Sequence, residues 1–219
     1  MPKNKPPKPQ KGVPAPPAPP RQPSTAPNWP PFKPPLPVVH LIPVLHPLTP
    51  KIATIPLFFP KSLCRDYVTF LRTLPLQTTP GRPKRGEAVR VNDRFQVDDA
   101  AFATRLWEST GLKEALLGGE DVNAHDDSNT LMLPTQPPTP ARTTWTLLLY
   151  LTSSTEGCIG GETVFYPRDR PLPEEEIAVS LETGMLLLHK HGDDCLLHEG
   201  REVKAGEKWV LRTDLCVER

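Results

Sequence analysis

The chain places an imidazole and a carboxylate two residues apart, at His125 and Asp127. On an extended backbone such a pair projects from one face and can share a metal ion. A further imidazole, His198, follows about 70 residues later at the end of the apolar segment Cys195-Leu-Leu-His198. Two neutral imidazoles and one carboxylate on one side of a metal leave its other positions open, which suits non-haem iron(II) carrying a bidentate keto acid and O2. Ten residues beyond His198, across a turn near Val203 to Gly206, Lys208 returns toward the same cavity. Its ammonium is a fitting partner for the far carboxylate of 2-oxoglutarate, because a buried cation is satisfied by a carboxylate facing it.

Each of these residues also has an ordinary reading. Asp126 and Asp127 precede Ser128-Asn129 and could be turn or cap residues. His198 and Lys208 could decorate an unrelated sheet surface. His189 and His191 flank Lys190 with no carboxylate nearby and read as a polar strand end, and His40 and His46 lie among prolines and read as solvated. A His-Asp pair also occurs in helical metal phosphohydrolases, but that class needs an all-helical domain, and the sequence after His125 reads as turn and strands.

The elements that must position these groups follow from periodicity. Leu63, Tyr67, Phe70, Leu71 and Leu74 recur at helical spacing after Pro60 and Ser62 and predict a helix packed outside a sheet. A second helix is expected from a cap at Asp98 to Gly118-Gly119, with Phe102, Leu106, Trp107, Leu112, Leu116 and Leu117 as its apolar side. Arg90 to Phe95 reads as a strand edge and turn, and Asp121 to Arg142 as loop. From Thr143 the period becomes two: Trp145, Leu147, Leu149 and Leu151 alternate with Thr144, Thr146, Leu148, Tyr150 and Thr152. Short strands are expected at 162–166, 177–181, 184–189, 195–198 and 208–217. Many short strands preceded by helices predict a mainly β fold with flanking helices (α+β), a sandwich or jelly roll with core strands over about 120–219.

Composition divides the chain. Of 31 prolines, 19 lie within the first 50 residues, with runs such as the Pro-Ala-Pro-Pro-Ala-Pro-Pro of 14–20. Proline fixes φ and donates no amide hydrogen, so residues 1–50 are expected to be an extended or disordered tail and 51–219 one domain with a real core. The tail carries lysines and no acidic residue, yet the whole chain is only +1, and nucleic acid is not an expected partner. An SH3- or WW-type domain is the partner such a tail would suit. No early segment reads as a secretory signal, and the apolar run 37–59 is broken by prolines too often to span a membrane. Four well-separated cysteines without a Cys-x-x-Cys pair argue against a zinc ribbon or a disulfide framework, and fit a cytoplasmic or nuclear setting.

His125, Asp127, His198 and Lys208, together with Tyr150-Leu151, Gly160-Gly-Glu-Thr-Val-Phe165, His198-Glu-Gly, Val203 and Gly206, resemble the 2-oxoglutarate and iron(II) dependent dioxygenases of the prolyl 4-hydroxylase type over roughly Arg90 to the C-terminus. The resemblance implies a double-stranded β-helix and iron held by His125, Asp127 and His198. It also implies 2-oxoglutarate bound by Lys208 with Thr163 close to it, and ascorbate as reductant. The implied activity is hydroxylation of a protein or peptide side chain, proline being the family-level expectation. Only Gly118 to Ala124 separates Leu117 from His125, where such enzymes carry a longer segment with a sheet strand. The alternative is therefore a catalytically inactive jelly-roll interaction module that has lost a core strand there.

Overall fold

The computed structural model describes residues 26–32, 36, 41–79, 92–118, 130–133, 137, 139–168, 170 and 172–218. The first strands, β1 (Val44–His46) and β2 (Thr49–Ile55), pair antiparallel. Helix α1 (Lys61–Leu71) follows Pro60 and buries Leu63, Tyr67 and Leu71 of the expected side together with Cys64 and Val68, while Phe70 and Leu74 are only partly buried. A two-residue ladder joins β3 (Gln77–Thr78) to β4 (Asp93–Arg94).

The expected second helix is two helices, α2 (Ala100–Ser109) and α3 (Leu112–Leu117). Its cap is Asp99, not Asp98: the Asp99 carboxylate accepts the Phe102 amide at 2.9 Å. The break falls at Gly111, whose φ of 77° is the left-handed conformation that glycine takes without a Cβ clash.

The strands then run β5 (Thr130–Leu133), β6 (Thr139–Tyr150), β7 (Ile159–Gly160), β8 (Thr163–Tyr166), β9 (Ile177–Val179), β10 (Leu186–Lys190), β11 (Leu197–Gly200), β12 (Val203–Ala205) and β13 (Val210–Glu218). The stretch read as loop up to Arg142 thus already holds β5 and the start of β6, in register at Met132 and Pro140. Prolines hide this strand from a sequence reading, yet a proline is tolerated at a strand's end, where a missing donor disturbs the ladder least.

One sheet has the order β1-β2-β10-β6-β13, with β5 also on β6; a smaller sheet has the order β11-β8-β9, and β7 pairs with β12. All pairings are antiparallel. From β6 onward the chain visits the large sheet, then the small one at β8 and β9, the large at β10, the small at β11 and the large at β13. This back-and-forth is a jelly roll with helices on its outer side.

The alternation in β6 sorts its side chains into two cores. Trp145, Leu147, Leu149 and Leu151 join Leu186 and Leu188 of β10 against Leu63, Tyr67, Leu112 and Leu116 of the helices. Tyr150 instead joins Leu187, Ile52, Phe165, Ile177 and Val179 between the sheets. This second core is the chamber in which the candidate chemistry lies.

Part of the proline-rich stretch belongs to the fold. Trp29 packs 4.3 Å from Phe102, ring centre to ring centre, and its indole N–H donates to Asp99 at 2.8 Å. Phe32 stacks on Tyr67, whose hydroxyl donates to the Pro30 carbonyl at 3.1 Å. Aromatic rings supply large apolar area, and proline-fixed backbone has little entropy left to lose, so a short extended segment can dock over α1 and α2. Among the described residues no helix is long and apolar enough to cross a membrane. The four cysteines are free thiols.

Candidate metal and cosubstrate site

The inner face of the small sheet is set by register. In β11, His198 lies opposite Phe165 of β8, and Gly200 lies opposite Thr163. Residues two apart on a strand share a face, so His198, Gly200, Phe165 and Thr163 form one surface. That surface looks into the chamber: Phe165 is fully buried, and the Thr163 hydroxyl meets the Tyr150 hydroxyl of the opposite sheet at 2.6 Å.

Lys208 enters the same space from the segment before β13. A Cβ placed on Gly200 would stand 3.9 Å from the Lys208 ammonium. The ammonium donates to the Gly161 carbonyl at 2.5 Å and lies 5.5 Å from the centre of the Tyr150 ring. Because Gly200 carries no side chain, nothing from β11 stands between His198 and Lys208. The strand rise puts His198 about 7 Å from Gly200 along β11. Among the described residues no carboxylate lies within ion-pair distance of Lys208. Burial pushes its pKa down and pushes that of Tyr150 up to about 12, so the phenol is a neutral donor or acceptor.

His198 has a neighbour that the sequence pattern alone does not single out. His189 of β10, read as part of a polar strand end, is 4% exposed, and its ring centre lies 4.7 Å from that of His198 across the chamber. The period-two run Met185, Leu187, His189 was the available signal, since Leu187 faces the inter-sheet core. Burial, and next the proximity of His198, push the His189 pKa down to about 4, so this imidazole is neutral near pH 7. His191 sits 3.2 Å from the Thr146 hydroxyl, which donates to Asp214 at 2.8 Å.

Of the residues singled out from the sequence, His198, Lys208 and Thr163 come together on one surface. His125 and Asp127 lie outside the described residues, as does the short segment before them from Gly119. Tyr150 joins the set through its hydrogen bond to Thr163. A half-buried ammonium, two hydroxyls and a glycine gap form a cradle whose donor set fits the far carboxylate of a keto acid. His198 is one imidazole fit to ligate a metal at the near end.

Residues 113–213 match the family model of the 2OG-Fe(II) oxygenase superfamily. No curated protein matches the chain. Among solved structures, that of the viral collagen prolyl hydroxylase from Paramecium bursaria Chlorella virus-1 in complex with 2OG is similar at 16% identity. The likeness covers 76% of this chain and 94% of that one, with a TM-score of 0.42.

Proposed function

We propose, from the match of residues 113–213 to the family model of the 2OG-Fe(II) oxygenase superfamily, that the protein is an iron(II)- and 2-oxoglutarate-dependent dioxygenase hydroxylating a protein or peptide side chain, with proline as the first residue type to test. The observation that carries the reading is the shared face of His198 and Gly200, with the Lys208 ammonium 3.9 Å from where a Gly200 Cβ would stand.

In this reading His125, Asp127 and His198 hold the iron. Lys208 takes the distal carboxylate of 2-oxoglutarate, and Thr163, fixed by Tyr150, donates a hydrogen bond beside it. Bound iron and keto acid supply O2 activation and oxidation of a C–H bond. The residues of this chain orient the keto acid, neutralise its charge and keep bulk water out of the chamber lined by Phe165 and Leu187. Ascorbate serves as the reductant that returns the iron to the ferrous state. The proline-rich sequence at 14–20 suits an SH3- or WW-type groove.

The test is an anaerobic titration with iron(II) and 2-oxoglutarate, followed by the weak visible metal-to-ligand charge-transfer band, with His198→Ala as control. A band in the wild type that His198→Ala abolishes supports the assignment. A folded protein without a band returns the chain to the second reading, a silent jelly-roll module, for which the short Gly118 to Ala124 segment is the motivating feature.

A further inference from the structure

We propose that His189, Cys195 and His198 form a separate metal site that takes zinc(II) through one thiolate and two imidazoles, and that filling it withdraws His198 from any other metal. One ligand atom from each residue lies within 4.8 Å of the other two, and among the described residues this is the cluster of metal-ligating side chains at such spacing. His189 comes from the large sheet, and Cys195 and His198 come from the segment entering β11, so the site would clasp the two sheets at one end of the chamber.

The tautomers are already set for ligation. The Nδ1 atom of His189 lies 3.1 Å from the Lys190 carbonyl, and that of His198 lies 2.9 Å from the Leu196 carbonyl. A carbonyl only accepts, so each Nδ1 carries the proton and each Nε2 keeps its lone pair. An imidazole N–H held by a backbone carbonyl is the usual support of a metal-bound histidine. The Cys195 Sγ lies 3.6 Å from His198 Nδ1, so the thiol must swing from that edge of the ring toward Nε2 to share an ion with it. Cys195-Leu-Leu-His198 also has the two-residue gap common between zinc ligands.

Zinc bonds of about 2.0 to 2.3 Å in a tetrahedron need donors roughly 3.3 to 3.8 Å apart, so the cluster must contract by about 1 Å. A shallow concavity lined by Cys195, Leu196, Leu197 and His198 gives the ion a way in. The trio has no carboxylate and includes a soft sulfur, which selects zinc over iron(II). With Nδ1 protonated, His198 has one lone pair and ligates one metal at a time. The clause about competition with iron rests on the oxygenase reading; the zinc site itself does not.

The test uses full-length protein stripped of metal and titrated anaerobically with cobalt(II). The expected result is one equivalent giving a near-ultraviolet thiolate-to-cobalt charge-transfer band with strong visible bands of a tetrahedral ion, displaced by one equivalent of zinc(II). Cys195→Ser removes the charge-transfer band but retains the iron(II) and 2-oxoglutarate band. On the wild type itself, zinc(II) slows alkylation of Cys195 by iodoacetamide at least tenfold, read by peptide mass spectrometry, which requires no variant to fold. A thiolate band that survives Cys195→Ser, or Cys195 alkylation unchanged by zinc(II), overturns the proposal. Loss of the iron band alone, with the cobalt band intact, overturns the oxygenase reading and leaves this one standing.

Discussion

The hydroxyl pair Tyr150 and Thr163 ties the large sheet to the small one inside the chamber, and a double-mutant cycle should expose its worth. The oxygens are 2.6 Å apart, with Tyr150 fully buried and Thr163 4% exposed. Tyr150→Phe keeps the ring, and with it the contact to Lys208, but leaves the Thr163 hydroxyl buried without this partner. Thr163→Val keeps the shape and leaves the phenol in the same condition. A buried polar group deprived of its partner costs about 1 to 3 kcal/mol, whereas replacing both partners by apolar groups of the same shape is close to neutral. Each single variant should therefore lose about 1.5 kcal/mol in urea denaturation, and the double variant no more than either, a coupling of at least about 1.5 kcal/mol. In a protein of this size that is roughly 3 to 6 °C in Tm for each single variant. In the same variants the half-saturating 2-oxoglutarate concentration should rise roughly tenfold, matching about 1.4 kcal/mol. Single losses that add to within about 0.4 kcal/mol in the double variant would mean the two hydroxyls act independently, and the cradle would lose its fixed corner.

Other outcomes follow from the same geometry. Gly200→Val, on a strand that accepts β-branched residues, should leave the melting temperature within a few degrees while weakening 2-oxoglutarate binding at least tenfold; unchanged binding would show that the keto acid does not pass between His198 and Lys208. Trp29→Ala should cost about 2 to 3 kcal/mol, less than a fully buried tryptophan, because its ring is half-buried against Phe102 and Phe70; a change under about 0.5 kcal/mol would detach the proline-rich stretch from the fold. His189, held at about 4 against an ordinary 6.5, takes up a proton in the unfolded chain before it does so in the folded one. Stability of the metal-free protein should therefore fall as pH drops from about 6.5 to 4, by about 3 kcal/mol in all. His189→Gln should flatten that limb of the pH profile, and an unflattened limb would assign it to other groups.

Much of the fold could be read from periodicity because the strands are regular where they are most buried. The alternation of Trp145, Leu147, Leu149 and Leu151 with Thr144, Thr146 and Tyr150 shows two faces. It cannot show that the leucines meet helices while Tyr150 meets a second sheet, since that depends on pairings such as Leu187 with Leu148 across the large sheet. The helix boundaries are set by local contacts that periodicity does not contain. Asp98 and Asp99 are equivalent as caps until one knows that the Trp29 indole holds Asp99. Gly111 reads as a tolerated helical glycine until its left-handed φ is seen. The proline count predicts a tail and masks Trp29 and Phe32, the aromatic residues that anchor the segment on Tyr67 and Phe70 of α1.

The site is legible where its residues lie close in sequence and obscure where it depends on sheets meeting. His198 and Lys208 are only ten residues apart, but β12 lies between them and pairs with β7, so the expected single hairpin is replaced by strands of three sheets that return Lys208 beside Gly200. His189 reaches His198 only because β10 and β11 belong to different sheets that close on each other, a relation that period-two patterning does not contain. The same closure decides the protonation of His189: an imidazole at a strand end is solvated, but one facing Phe165 and His198 across a core is kept neutral. A neutral imidazole is a ligand at any pH above about 4 without first shedding a proton. A histidine that reads in the sequence as a polar strand end is thus, in the folded protein, held neutral with its Nε2 lone pair free for a metal.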